Sequence, residues 1–498
     1  MFCKIGHMLR RDLLRTMAAA PFAMAARAQA RYQPTWESLD RRPCPKWYAD
    51  ARFGIFIHWG VYSVPAFAPV NVKGETGYAE WYWNSLMKNM KTGGPTWKFH
   101  QRVYGPNFAY PEFAPMFRAE LYDPDHWADV FERSGAKYVA LTSKHHEGFT
   151  LWKSEEANRS WGRPWNAVDI GPKRDLLADL MDAGRRRGLH MGIYYSLYEW
   201  YNPLYLSDKK RYVAEHMMPQ FKDVVTHAKP SIIFSDGEWE LPSADWRSTE
   251  LLAWLFNESP VKDEVVIDDR WGKDTRHKHG GYYTTEYTSG MQSGAHPWEE
   301  SRGMGYSYGY NRMETVQDYH TDRELLLILI DIVSRGGNLL LDIGPTADGR
   351  IPVIMEERLT QIGSWLKPNG EAIYGSRAWR NPRQWSRGSI PKFEEKEFMS
   401  EYDINKMVDR PPAGMAHVEA FLTAKDDALY AIVPRRPLRE VVIDDVEAPS
   451  GVKVTLLEGG QPLTARLDGK RLSIAVPDAV SAALPARQAY TFKIAGAR

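Results

Sequence analysis

The sequence predicts an α/β fold, a distorted (β/α)8-type barrel followed by a C-terminal antiparallel β-sandwich. Three observations predict it. Short, continuous apolar runs alternate with amphipathic helical stretches over the first three quarters of the chain, the pattern of buried parallel strands with crossover helices. All 19 tryptophans lie at or before Trp385. Beyond about residue 390 the pattern changes to short period-2 segments separated by turn clusters such as Glu458-Gly459-Gly460 and Asp468-Gly469-Lys470.

Taken in order, residues 1–30 read as an export signal. Arg10-Arg11 opens a basic region, an apolar run from Thr16 to Ala26 follows, and Ala28-Gln29-Ala30 offers a small-residue cleavage site. The paired arginines resemble a twin-arginine leader, which gives the expectation of a bacterial periplasmic or extracellular protein. The apolar run is too short to span a bilayer, so no membrane span is expected in the mature chain. Residues 31–385 are assigned to the barrel. Its strands are expected at 53–57, 138–141, 190–195, 231–234, 264–267 and 338–343, with helices over 174–188, 249–257 and 321–333. A doubly wound sheet is the alternative, but no G-x-G-x-x-G or P-loop follows any strand. Residues 386–498 are assigned to the β-sandwich, with strands expected at 428–433, 440–444, 452–457, 472–476 and 489–494.

Composition narrows the function. A formal net charge of +1 without a basic stripe excludes nucleic acid as partner. Of the two cysteines, Cys3 would leave with the leader and Cys44 would have no partner, so the core and not disulfides must hold the fold. The length permits a homo-oligomer but does not require one.

In a barrel, chemistry projects from the C-terminal ends of the strands. The residues just past each apolar run form one series: His58-Trp59-Gly60, Lys144-His145-His146-Glu147-Gly148, Tyr194-Tyr195-Ser196, Ser235-Asp236-Gly237, Asp268-Asp269-Arg270 and Asp342-Ile343-Gly344. Polar turns end many strands, but six polar ends in succession describe a lined site. Glycosidic hydrolysis needs two carboxyl groups about the anomeric carbon. Asp236, ending a stiff apolar segment, is the nucleophile candidate, although a helix N-cap or turn aspartate has the same local pattern. Glu238, Glu240, Glu286, Glu299 and Glu300 are the candidate acids. Glu299 stands out because its neighbour Trp298 could desolvate it and raise its pKa. The adjacent His145 and His146 suit sugar hydroxyls better than a metal, since neighbours on a strand point to opposite faces and no H-E-x-x-H or cysteine cluster accompanies them. No metal or cofactor is expected.

These strings carry a resemblance. Phe53-Gly54-Ile55-Phe56-Ile57-His58-Trp59-Gly60, Glu80-Trp81-Tyr82, Lys144-His145-His146-Glu147-Gly148-Phe149, Trp165-Asn166 and Gly171-Pro172-Lys173-Arg174-Asp175 look like glycoside hydrolase family 29, the α-L-fucosidases. So do Tyr194-Tyr195-Ser196, Ser235-Asp236-Gly237-Glu238-Trp239-Glu240 and Gly336-Gly337-Asn338-Leu339-Leu340-Leu341, the acidic string resembling the branch with the animal lysosomal enzymes. The likeness runs from about residue 34 to 380. It implies retaining exo-hydrolysis of terminal α-L-fucose from glycans, with Asp236 as nucleophile and, from the Trp298-Glu299 pair, Glu299 as acid/base. It also implies that His58, Glu80, Trp81, His145, His146, Tyr195 and Arg270 contact the sugar. Such a double displacement asks for carboxyl groups about 5–5.5 Å apart. The competing readings are a retaining glycosidase for a related sugar such as α-L-galactose, a catalytically inactive carbohydrate-binding barrel, and a metal-dependent hydrolase.

Overall fold

The computed structural model describes residues 32–288, 290–291, 295–392, 398 and 402–497. The leader expected over 1–30 lies outside the described residues. Eight parallel strands form the barrel sheet: β1 (Phe53–Ile57), β2 (Tyr138–Lys144), β3 (His190–Ser196), β4 (Ile232–Asp236), β5 (Val266–Ile267), β6 (Tyr283–Glu286), β7 (Trp298–Gly303) and β8 (Asn338–Ile343). They pair in the order β5-β4-β3-β2-β1-β8-β7-β6. β5 and β6 do not pair as a ladder. The seam is bridged instead by Gly281 N and Tyr282 N donating to Ile267 O, and by Thr284 donating twice to Asp269 Oδ1.

Strand alternation sorts the side chains. Phe53, Ile55 and Ile57 face the surrounding helices, whereas Phe56 packs inside the barrel with Tyr138, Tyr194, Phe234 and Leu340. Gly54 also faces inward, and a Cβ there would lie 2.3 Å from the Tyr138 ring, so only glycine lets that ring cross the barrel floor.

The expected strands at 53–57 and 338–343 appear with those bounds, and those at 138, 190, 231 and 264 appear with shifted ends. β6 and β7 are additional. They read Tyr-Thr-Thr-Glu and Trp-Glu-Glu-Ser-Arg-Gly, too polar to stand out as apolar runs. The helices also start where local chemistry says. Leu176–Arg186 is capped by Asp175, whose side chain accepts from Ala178 N. Asp322–Ser334 begins with a capping box between Thr321 and Glu324.

That last helix is apolar on every side because it is covered on every side: it packs against the barrel and against the C-terminal sheets. Its one buried acid, Asp331, receives Arg335 (2.7 Å), Arg383 Nε (2.6 Å) and Tyr402 Oη (2.8 Å). Removing it would strand two buried cations at a cost of about 3–5 kcal/mol.

The C-terminal part holds a six-stranded antiparallel sheet and a three-stranded one. The six-stranded sheet begins with β9 (Arg377–Trp385), which pairs with β10 (Val418–Lys425), so its first strand lies within the span that the sequence assigned to the barrel.

Candidate active site

A cavity of about 710 Å³ opens at the C-terminal end of the barrel strands. Asp236, the last residue of β4, lines it and is 7 % exposed. Its Oδ2 accepts from Tyr194 Oη at 2.8 Å, and its Oδ1 accepts from Arg270 at 3.0 Å. Burial alone would raise this carboxyl, but Arg270, with Arg276 and the Tyr194 hydroxyl, outweighs it and holds Asp236 below the usual range.

Arg270 is 1 % exposed and fixed on every side. Its Nε donates to Thr284 Oγ1 at 2.9 Å, its guanidinium stacks 4.6 Å from the Phe234 ring, and Ser235 Oγ grips its carbonyl at 2.6 Å. Its second terminal nitrogen lies 2.8 Å from Glu286 Oε1. One guanidinium therefore faces two carboxyl groups, Asp236 from β4 and Glu286 from β6, and both line the cavity.

The remaining walls divide by chemistry. His58, Glu80, Trp81, His145 and His146 line the cavity as the sequence expected. His58 Nδ1 lies 2.7 Å from Asp342 Oδ1. Glu80 accepts from Gly309 N at 2.8 Å, and burial pushes its carboxyl up to about 7. Burial also lowers His58 and His146 well below the usual histidine range, so both imidazoles are neutral. Ser196 Oγ donates to Tyr198 O, which assigns the proton of His146 to Nδ1 and leaves Nε2 an acceptor, 3.5 Å from Asp236. A sugar hydroxyl can donate to that nitrogen. Phe56, Tyr78, Phe234 and Tyr308 supply apolar surface. None of these four stands out in the sequence, although two-residue alternation from His58 and Asp236 points to Phe56 and Phe234.

Two expected site residues lie elsewhere. Tyr195 faces outward on β3, because its neighbour Tyr194 faces in; its hydroxyl donates to Met217 O and Gln220 Oε1 beneath a helix. Tyr194 takes the place in the cavity that was expected for Tyr195. Glu299 does face into the barrel, but at the wrong end. It is the second residue of β7, in register with Asn338, the first residue of β8. Its Oε2 accepts from Tyr48 at 2.9 Å and Tyr138 at 2.5 Å, it is fully buried, and it does not line the cavity. Glu240 binds Tyr205 and Lys209 outside the cavity, and Glu300 faces Thr285, Thr288 N and Arg302. Glu238 lines the cavity, paired with Arg276 at 2.7 Å.

The Alpha-L-fucosidase family profile matches residues 19–371. Tissue alpha-L-fucosidase of Homo sapiens is 40 % identical over 98 % of this chain and 96 % of its own. Alpha-L-fucosidase of Dictyostelium discoideum is 48 % identical over 70 % of this chain and 75 % of its own. The crystal structure of Thermotoga maritima alpha-fucosidase with a mechanism-based inhibitor superposes with a TM-score of 0.75 at 34 % identity, covering 93 % of this chain and all of the other. These relatives correct one expectation. The Homo sapiens and Dictyostelium discoideum proteins, like similar curated ones of Branchiostoma floridae and Mus musculus, are eukaryotic, which points away from a bacterial periplasmic protein. Among the described residues no helix is long and apolar enough to cross a membrane. The chain belongs to the α-L-fucosidase family of glycoside hydrolases, built on a TIM-like barrel with a C-terminal β domain.

Proposed function

We propose that this retaining α-L-fucosidase uses Asp236 as its nucleophile and Glu286, not Glu299, as its acid/base. The observation that carries the pairing is the shared cation: Arg270 touches Asp236 Oδ1 at 3.0 Å and Glu286 Oε1 at 2.8 Å, so the two carboxyl groups face one small volume. Asp236, ionised and oriented by Tyr194, attacks the anomeric carbon. Glu286 gives its proton to the glycosidic oxygen as that bond breaks, and a covalent fucosyl-aspartate forms. Glu286 then takes a proton from water, which displaces Asp236 and releases fucose with retained configuration. Access favours Glu286 over its nearest competitor. The leaving group must exit toward solvent, and the Glu286 side chain is 17 % exposed whereas that of Glu238 is 1 % exposed.

Glu238 has one observation in its favour. Its Oε2 is buried without a hydrogen-bond partner, and burial pushes the carboxyl up to about 7, near a working acid. Chemical rescue separates the two. Asp236→Ala, Glu286→Ala and Glu238→Ala are each assayed on an aryl α-L-fucoside with azide. The nucleophile variant should yield β-fucosyl azide, and the true acid/base variant α-fucosyl azide. Production of α-azide by Glu238→Ala and not by Glu286→Ala would overturn the assignment.

The substrate follows from the walls. Neutral imidazoles and Glu80 suit ring hydroxyls, and the aromatic surface suits the C5 methyl of fucose. Turnover of an α-L-galactoside at a rate equal to the fucoside would move the reading to that sugar. The division of the chain into a leader over 1–30, a barrel and a β module is likewise our proposal; N-terminal sequencing of the protein from its source tests the first.

A further inference from the structure

The mouth of the cavity differs in charge from its floor. One segment after β5, running from Trp271 to His279, brings Lys273, Arg276 and Lys278 to the rim. Asp274 is the single acid of that segment, and it is engaged by Ser243, through its backbone N–H at 2.7 Å and its hydroxyl at 3.0 Å. Arg276 is matched by Glu238. Lys273 and Lys278 are exposed, and among the described residues neither ammonium has an ion pair or hydrogen bond.

The segment is not a loose loop. Thr275 Oγ1 bonds Asp269 O at 2.7 Å and Gly272 O at 2.8 Å, and His277 N donates to Asp269 Oδ2 at 2.9 Å. Lys273 N donates to Leu241 O, and a Cβ at position 272 would lie 2.4 Å from Ser243 N, so the backbone is clamped against its neighbour. The two lysines are thus carried on a fixed frame at the cavity entrance. Trp239 is 39 % exposed, lines the same cavity and stacks on Trp81 with ring centroids 6.1 Å apart. A flat indole and two uncommitted cations lining one cavity match a sugar ring that carries a negative charge.

We infer that this rim is a leaving-group subsite for an anionic saccharide, with Trp239 under the ring and Lys273 and Lys278 on its sulfate or carboxylate. The inference rests on the proposed catalytic reading, because the rim is a leaving-group side only if fucose occupies the floor. Both lysines lie outside the catalytic machinery. The anion contributes nothing to the chemical step, so its effect falls on kcat/KM through KM.

The test compares three fucosylated oligosaccharides that differ only in the penultimate unit, neutral, sulfated or carboxylated, plus a neutral aryl α-L-fucoside. Wild type should favour at least one anionic substrate by about fivefold to tenfold at low salt, a preference that 0.5 M NaCl abolishes. Lys273→Gln/Lys278→Gln should bring that ratio near one and leave the aryl fucoside unchanged. The sulfated and carboxylated arms identify the anion. Equal turnover of neutral and anionic substrates by wild type, or equal losses on all substrates in the double variant, overturns the subsite. Calorimetric binding of the defucosylated sulfated and carboxylated saccharides gives a readout independent of turnover. If the aryl fucoside is not hydrolysed yet binding is lost in the double variant, the catalytic reading fails while the anionic subsite stands. Absence of binding to wild type overturns the subsite alone.

Discussion

The two ends of the barrel each bury a carboxyl group inside the same ring of strands, and they treat it in opposite ways. At the C-terminal end Asp236 meets a guanidinium and one phenol. At the N-terminal end Glu299 meets two phenols and, among the described residues, no cation within hydrogen-bonding distance. Burial disfavours charge at both places. Arg270 reverses the outcome for Asp236, whereas burial pushes Glu299 up to about 7 because Tyr138 and Tyr48 only partly offset it. The lesson is that a desolvated carboxyl beside a tryptophan is not enough to make an acid catalyst. It must also stand at the open end of its strand, where a substrate can reach it.

Breaking the upper end should have the largest effect. Asp236→Ala is expected to lower kcat by about 10⁴-fold or more with folding intact, measured on an aryl fucoside with circular dichroism as the control. Glu286→Ala should lower kcat by about 10²–10⁴-fold for poor leaving groups and far less for a dinitrophenyl leaving group, which needs no proton. A uniform loss across leaving groups would remove Glu286 from the acid role.

Arg270→Met isolates the cation. A loss of about 10²–10³-fold in kcat is expected. The pH profile supplies the sign: the cation lowers the Asp236 pKa, so its removal lets burial raise it, and the acidic limb of kcat/KM should move to higher pH. A limb that stays in place would show that Arg270 does not set the ionisation of Asp236.

The lower end should respond in stability and barely in turnover. Glu299 has a folded-state pKa above its unfolded value. Its contribution is fully present below the ordinary glutamate range and is lost as pH rises through about 7. Over that window the loss is on the order of 3 kcal/mol for this one group. Glu299→Gln, which cannot ionise, should flatten its share of the decline in thermal stability from pH 5 to 8 and leave kcat within about threefold. A kcat loss comparable to that of Glu286→Ala would restore Glu299 to the chemistry. Glu80 and Glu238, also pushed up to about 7, would keep the rest of the decline. The smallest effect is expected from Tyr48→Phe, about 1–2 kcal/mol in denaturant unfolding, for one buried hydrogen bond.

What the sequence by itself determined is local and periodic. Apolar runs marked β1 and β8, amphipathic spacing marked the helix at Leu176, and the polar residue closing the Ile232-Ile233-Phe234 run marked Asp236. His58, His145 and His146 were legible too, just past strand ends, and Glu80 and Trp81 through the resemblance alone. Three decisions belonged to the tertiary structure. Strand phase chose Tyr194 over Tyr195, because one residue of shift turns a side chain from the cavity to the helix layer. Depth set Glu286 in the cavity wall and Glu299 at the far end of the barrel: β6 and β7 are polar strands with little periodic signal, and a residue's height in the barrel depends on register with neighbours far away in the chain. Charge state was the third. Arg270 and Glu286 lie 16 positions apart and both lie beyond Asp236, so only closure of the ring across the β5–β6 seam brings the two carboxyl groups to one guanidinium, where for Asp236 Coulomb attraction outweighs the cost of burial.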